Sequence, residues 1–235
     1  MILLTGGSGL LGKFIIKELL ARKIKFIAPS HQEIDVTKIR ALKVLFQKLK
    51  PSMVIHCAAI AKYKAVENDP NNAIKTNVVG TCNVAEECLR HNSRLIYISS
   101  DHVFDGKQGP YFSTDKVNPL TKYAKTKVAG ELVTQLCENH LIIRTSFCES
   151  IFPFQKAYSD KWTSQDYVDK VAPKIVEMCV GNTVGIVHIG HKRRSFFQLA
   201  QERNPNIEKG TLSEISKLSP VPILVDTSLV VDVET

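Results

Sequence analysis

Nowhere in these 235 residues is there an apolar run approaching the roughly 18 residues needed to cross a bilayer. Ile2 to Leu4 follow Met1 without a signal-peptide pattern. A soluble, cytoplasmic protein without membrane contact is expected. None of the six cysteines, Cys57, Cys82, Cys88, Cys137, Cys148 and Cys179, belongs to a C-x-x-C pair, and most lie in apolar stretches. That spacing points away from zinc and from a disulfide framework, so buried free thiols and no metal site are expected. Internal repeats and low-complexity tracts are missing too, which argues for one compact unit. The formal net charge is +8, from 31 basic and 23 acidic residues, and favours anionic partners. Only His191-Lys192-Arg193-Arg194 forms a dense basic cluster, and it lacks the interleaved aromatics of a base-stacking surface. Nucleic acid is therefore not the expected partner; phosphorylated small molecules or a merely solvated surface account for the charge.

Apolar strand-like runs alternate with helix-period segments. Ile2 to Thr5, Leu10 to Arg22, Ile24 to Ala28, Thr37 to Lys50 and Met53 to Cys57 read as βαβαβ. A helix over 70–91, a strand over 94–99, a helix over 121–139 and a strand over 141–145 continue the pattern. Asp69-Pro70 suits a helix start, since aspartate caps free amides and proline costs nothing at the first helical position. The fold class is thus α/β, a Rossmann-type doubly wound parallel sheet. Beyond Thr145 the alternation weakens through Phe147 to Trp162, then resumes with a helix over 164–180 and a strand over 184–189. Residues 1–146 are expected to form the cofactor-binding part, with the catalytic residues, and 147–235 the remaining sheet elements and a small substrate lobe.

Thr5-Gly6-Gly7-Ser8-Gly9-Leu10-Leu11-Gly12 joins the first strand to the first helix. Gly6, Gly9 and Gly12 let the backbone turn tightly and approach a pyrophosphate, and the helix start offers free N–H groups. A glycine triplet alone is weak, but its place at the first strand-to-helix junction makes it a dinucleotide site. Ser8, Leu10 and Leu11 belong to the same loop. Where an NAD-selective protein places an acid for the ribose 2′-hydroxyl, this chain has Pro29-Ser30-His31-Gln32. Ser30 and His31 suit a 2′-phosphate, so NADP(H) is favoured over NAD(H). Asp35 and Val36 are placed to contact the adenine, or Asp35 to cap the helix that follows.

Tyr123 and Lys127 are four residues apart on one helix, so both project from the same face. A neighbouring ammonium favours the phenolate and brings the hydroxyl nearer to acid/base work at neutral pH. In a lysine-rich chain this pair arises readily by chance. Ser99-Ser100-Asp101 at a strand end adds the missing context, because open α/β sheets bind ligands beyond their strands' carboxyl ends. A hydroxyl there can polarise a substrate carbonyl.

At these residues the chain resembles the extended short-chain dehydrogenase/reductases, and within them the dTDP-4-dehydrorhamnose reductase family. The likeness covers about residues 1–146. It is carried by the glycine loop, Cys57-Ala58-Ala59, Val66 to Pro70, Ile74 to Gly80, Ser99 to Gly106, Pro119 to Glu131 and Arg144-Thr145-Ser146. The resemblance implies that Ser100 binds the carbonyl, Tyr123 donates the proton, and Lys127 supports the tyrosine and holds the nicotinamide ribose. It implies also that Ala58, Ala59, Ala61, Asn77 and Ser99 line the cofactor, and that Asp101, His102 and Phe147 lie near the substrate. His102 and Phe147 replace a tyrosine and a tryptophan of the bacterial reductases. The segment between Ser146 and Asp169 is about 20 residues shorter than the family pattern, and weaker similarity resumes at Trp162 to Ile175, Val187 to Gly190 and Val221 to Leu229.

The activity so implied is NAD(P)H-dependent reduction of the 4-keto group of a nucleotide-linked 6-deoxysugar, of dTDP- or UDP-4-dehydrorhamnose type, as in dTDP-rhamnose biosynthesis. The basic cluster at 191–194 is a candidate contact for the nucleotide diphosphate. The alternatives are a non-catalytic regulatory subunit resembling the methionine adenosyltransferase β subunit, and a sugar-nucleotide epimerase. With the lobe shortened, Phe147, Ile151, Phe152, Phe154, Tyr158 and Trp162 are expected to cover the cleft as a ligand-ordered lid, or a homodimer partner to close the gap.

Overall fold

The computed structural model describes residues 1–216 and 222–235. Strand β1 (Ile2–Thr5) is buried at every position because it lies between two parallel neighbours, which is why it reads as an unbroken apolar run. Helix α1 (Leu10–Ala21) follows at once and turns Leu11, Ile15 and Leu19 inward at intervals of four. Then come β2 (Phe26–Ile27), α2 (Ile39–Leu49) and β3 (Met53–His56), completing the expected βαβαβ unit. β2 is shorter than the apolar run 24–28 suggests. The Ile24 amide is held by the Leu19 carbonyl at the end of α1, so the ladder starts only at Phe26.

The expected helix over 70–91 is divided into α4 (Pro70–Ala73), a π-helical turn (Ile74–Val79) and α5 (Gly80–His91), preceded by an unforeseen short α3 (Tyr63–Asn68). Asp69 caps α4 by accepting from the Asn72 amide, as the Asp-Pro pair suggests. β4 (Arg94–Ser100) runs into a 3₁₀ turn (Asp101–Val103), and α6 (Lys122–Thr134) leads to β5 (His140–Thr145). α6 stops short of Asn139 because the chain must turn over 135–139 to enter β5, with the Cys137 thiol facing the Ala85 carbonyl.

Beyond Thr145 lie β6 (Phe147–Cys148), β7 (Lys156–Tyr158), β8 (Trp162–Thr163), β9 (Asp166–Tyr167), α7 (Val168–Val180) and β10 (Gly185–Gly190). After them come β11 (Arg194–Ser195), α8 (Phe196–Gln201), β12 (Glu208–Gly210), α9 (Ser213–Ser216) and β13 (Val233–Glu234). α7 begins four residues later than its amphipathic pattern, because Ser164 is bonded through its hydroxyl to Leu229, and Asp166 and Tyr167 pair with β6.

Seven strands form one parallel sheet in the order β13-β10-β5-β4-β3-β1-β2. One face is covered by α1 and α7 over Ile15, Leu19, Val171 and Ile175, the other by α2 and α5 over Leu42, Phe46, Val84 and Cys88. All six cysteines are free, with Cys88, Cys137 and Cys179 buried and the other three half-buried. Among the described residues no helix is long and apolar enough to cross a membrane.

A smaller apolar cluster, Phe152, Ala157, Tyr167, Leu199, Ala200 and Ile207, holds the lobe together. The segment 147–162 is therefore no featureless lid: Phe152 and Ala157 are buried, and β7 pairs with β12. Ile151 and Phe154 remain exposed. Val221, which opens the last stretch of family likeness, lies outside the described residues.

Helix α6 comes so close to β4 that a Cβ on Gly130 would stand 2.1 Å from the Tyr97 hydroxyl oxygen. Gly130→Ala should therefore cost about 1–3 kcal/mol through overpacking. The expected thermal midpoint is lower by roughly 2–4 °C per kcal/mol for a domain of this size. An unchanged midpoint would show that Tyr97 swings aside freely.

Candidate active site

The strand order reverses between β1 and β3, whose chains leave the sheet on opposite sides, and a cleft of about 400 Å³ opens there. Gly6, Ser8, Gly9, His31, Asp35, Ala58 and Ala59 line it, together with Cys57, Ile60, Asn72, Lys75 and Thr76. Gly6 has φ +74°, and a Cβ there would lie 2.6 Å from the Ala58 nitrogen. Only glycine allows β1 and β3 to end side by side in this way. At Gly12 the same addition would meet the Gly6 carbonyl oxygen at 2.3 Å, so α1 starts directly over the loop. No side chain caps α1, and no acid stands in its first turn. These free amides, glycine walls and positive helix end fit a dinucleotide pyrophosphate.

Several residues expected at the cofactor are also tied into the frame. Leu11 is buried in the main core while Leu10 is exposed, so the two offer backbone alone to the loop. The Val36 side chain is buried in the second core, against which a Cβ on Gly80 would collide, and its carbonyl accepts from Asn83. Ala61 is exposed and outside the cleft lining. Asn77 accepts from the Ile60 amide at 2.7 Å and donates to the Ile60 carbonyl and the Thr126 hydroxyl. It thereby staples the cleft wall to α6. Ser99 donates to Glu131 at 2.5 Å. Ser30 binds Glu33 through both amide and hydroxyl, so an acid folds back to the end of β2 after all. Phe147 packs against the main core.

The residues at the end of β4 and the start of α6 do converge. Ser100 donates to Asp101 at 3.1 Å and hydrogen-bonds Tyr123. The His102 ring stands edge-on to Tyr123 at 6.4 Å, with Nε2 3.9 Å from Asp101. Asp101 also accepts from Thr227 at 2.7 Å, which ties the site to the C-terminal segment. Burial, then the Asp101 carboxylate, push the Tyr123 phenol up to about 12, against the lowering effect of Ser100. Lys127 is buried, its ammonium 4.0 Å over the Tyr97 ring, and burial brings it down to about 7 although Glu131 and Cys57 pull it upward. The phenol is thus not lowered in the free protein: desolvation outweighs the neighbouring cation expected from the helix spacing.

Beneath Lys127, His56 is buried between Thr5 (Nδ1, 2.7 Å) and Thr81 (Nε2, 3.0 Å). Thr81 gives its proton to the Asn77 carbonyl, so the imidazole donates from Nε2 and accepts at Nδ1. Burial and Lys127 hold it at about 3, hence neutral. Nothing in the sequence pattern marks His56 or Thr81, since a buried polar chain has no periodicity of its own.

The cations of the basic cluster at 191–194, the candidate diphosphate contact, are paired within the protein. Arg193 pairs with Asp226 at 2.9 Å while lying over Trp162, Arg194 is buried on Asp166 and Glu202, and Lys192 stands 3.4 Å from Glu234. A hollow of about 530 Å³ bordered by Lys116, Glu131, Gln135 and Arg144 is lined by none of the expected site residues.

Fold and cleft together define a Rossmann-type protein of the extended short-chain dehydrogenase/reductase kind. Residues 1–152 match the model of the RmlD substrate binding domain, and the chain belongs to that family. It is 35% identical over 149 residues to a dTDP-4-dehydrorhamnose reductase of Aggregatibacter actinomycetemcomitans, covering 62% of this chain and 51% of that protein. It is 38% identical over 136 residues to methionine adenosyltransferase 2 subunit beta of Xenopus tropicalis, covering 55% and 41%. The chain thus spans about half the length of the curated relatives it matches. The crystal structure of a dTDP-4-dehydrorhamnose reductase from Clostridium acetobutylicum superimposes with a TM-score of 0.88 at 26% identity, over 97% of this chain and 89% of that one.

The buried Lys127 ammonium makes stability depend on pH. With its value lowered from 10.5 to about 7, the folded protein holds fewer protons than the unfolded chain between those limits. Stability contributed by this group therefore rises from about pH 7 towards 10, by up to about 1.4 kcal/mol per pH unit. Urea unfolding between pH 7 and 9.5 should show the rise in the wild type and a flatter profile in Lys127→Met. An equally steep profile in the variant would assign the dependence to another group.

Proposed function

We propose that this chain binds NAD(P)H, with NADP(H) preferred, and reduces the 4-keto group of a nucleotide-linked 6-deoxysugar of dTDP- or UDP-4-dehydrorhamnose type. The observation that carries the reading is the convergence of Ser100, Asp101 and Tyr123 beside the glycine-walled cleft, with Lys127 one helical turn away. The cofactor, when bound, supplies the hydride that adds to the ketone carbon. Ser100 holds the ketone oxygen, and Tyr123 delivers the proton to it. A phenol raised to about 12 keeps its proton at neutral pH until an alkoxide develops next to it. Lys127, at about 7, carries an exchangeable proton in the same buried space.

NADP(H) is favoured because Pro29-Ser30-His31-Gln32 has no acid and His31 lines the cleft. One observation favours NAD(H) instead: the Glu33 carboxylate lies 2.7 Å from the Ser30 amide, at the end of β2. A second functional reading, a regulatory subunit, draws on the identity to the methionine adenosyltransferase subunit.

Incubation with dTDP- and UDP-4-keto-6-deoxysugars, followed by NADPH absorbance, separates the readings. Net consumption marks a reductase, product without consumption an epimerase, and neither a regulatory role. Tyr123→Phe should leave NADPH affinity nearly intact and lower turnover by about 10² or more; wild-type turnover in the purified variant would remove the proton-donor assignment. Dissociation constants measured by nucleotide fluorescence should be smaller for NADPH than for NADH, and a tenfold preference for NADH would reverse the cofactor assignment.

A further inference from the structure

Every arginine in the lobe has its anion. Arg193 holds Asp226, Arg194 holds Asp166 and Glu202, and Arg203 holds Asp169. Lys161 differs. It is half-buried, and its ammonium makes no hydrogen bond and no ion pair with any of the described residues. Its ammonium stands 5.0 Å from the centroid of the Phe196 ring and within the electrostatic reach of the Asp101 carboxylate.

The backbone that carries it is fixed on both sides. The Asp160 carboxylate accepts from the Leu212 amide, the Lys161 carbonyl from Phe196, and Trp162 bonds Val225 through its amide and Thr227 through its carbonyl. Thr227 is the residue whose hydroxyl donates to Asp101. A single residue thus separates the backbone next to Lys161 from the carboxylate beside Ser100. The Lys161 side chain therefore issues from the lobe at the rim where the lobe meets the proposed reaction centre. Beyond it, Phe196 continues into Phe152 and the exposed Phe154, at centroid distances of 5.1 Å and 6.5 Å.

We propose that Lys161 is the anion-binding residue of the substrate cleft and takes the diphosphate of the nucleotide-linked sugar, an assignment that rests on the nucleotide-sugar reading above. The Asp101 carboxylate, part of the proposed reaction centre, acts electrostatically on the ammonium and repels phosphate, while the Phe196 ring stands 5.0 Å from the ammonium with Phe154 beyond. A diphosphate is the part of such a substrate that needs a cation between those two surroundings. Burial lowers the Lys161 ammonium from the usual lysine range and Asp101 raises it, so an arriving anion gains a partly desolvated charge with no competing ion pair to break. The basic cluster at 191–194, whose charges are already paired, is thereby replaced as the phosphate contact.

The test is calorimetric titration of UDP, dTDP, uridine and thymidine into the wild type and into Lys161→Met, Lys161→Gln and Lys161→Arg, each checked for an unchanged thermal midpoint and NADPH affinity. A hydrogen bond to a charged group of this kind corresponds to roughly a tenfold to hundredfold loss of affinity. The wild type should bind dTDP or UDP, the Met and Gln variants at least tenfold more weakly, and the Arg variant within about threefold, while the nucleosides bind all four alike. Equal diphosphate affinity in whichever of the Met or Gln variants folds, or no binding of either diphosphate to the wild type at millimolar concentration, would overturn the assignment. Failure of the reductase reading appears elsewhere, as wild type that oxidises no NADPH with any keto sugar nucleotide, and leaves the diphosphate titration able to report on Lys161.

Discussion

A buried ion pair, Glu131 with Arg144, holds the proposed reaction centre in register. Arg144 meets both carboxylate oxygens, at 3.0 and 2.8 Å, from β5, while Ser99 on β4 gives its hydroxyl proton to the same carboxylate. α6 is thereby fixed against two adjacent strands whose Ser99 and Arg144 are directly paired. Tyr123 and Lys127 ride on that helix, and Ser100 follows Ser99 on the strand. Removing one member of such a pair leaves an uncompensated buried charge, at a cost of about 3–5 kcal/mol. The remaining Arg144 nitrogen, bound to the Ser113 carbonyl, and the Phe104 ring under the guanidinium supply the contacts that a lone carboxylate would not.

From this fixed helix the electrostatics of the centre follow. Glu131 is the larger of the two nearby influences that keep Lys127 charged against its burial. Asp101, held by Thr227, acts in the same sense on Tyr123: with burial it raises the phenol and keeps it protonated. One acid thus sustains the cation and the other the neutral phenol. Their separation depends on Glu131 being held by Ser99 and Arg144 and Asp101 by Thr227.

The lobe is small, yet it is organised around its own apolar cluster and the ion pairs of Arg193, Arg194 and Arg203. Its segment 147–162 is tied down at Phe152 and Ala157, and Ile151 and Phe154 are its exposed large apolar side chains.

The sequence by itself determined the sheet, the cleft and the residues of the proposed centre. Buried parallel strands must be apolar throughout, helices on their faces must repeat at 3.6, and the backbone contact at Gly6 and Gly12 tolerates no Cβ; each of these demands leaves a local mark. Tyr123 and Lys127 were legible because one helix carries both. Partnership across the fold leaves no such mark. That Asn77 and Ser99 brace the site, that Glu33 returns to Ser30, that the arginines at 193 and 194 are already paired while Lys161 is not, and that burial raises the Tyr123 phenol were decided only when distant elements met. Charge and hydrogen-bond satisfaction belong to pairs of atoms far apart in the chain, and only the tertiary structure chooses those pairs.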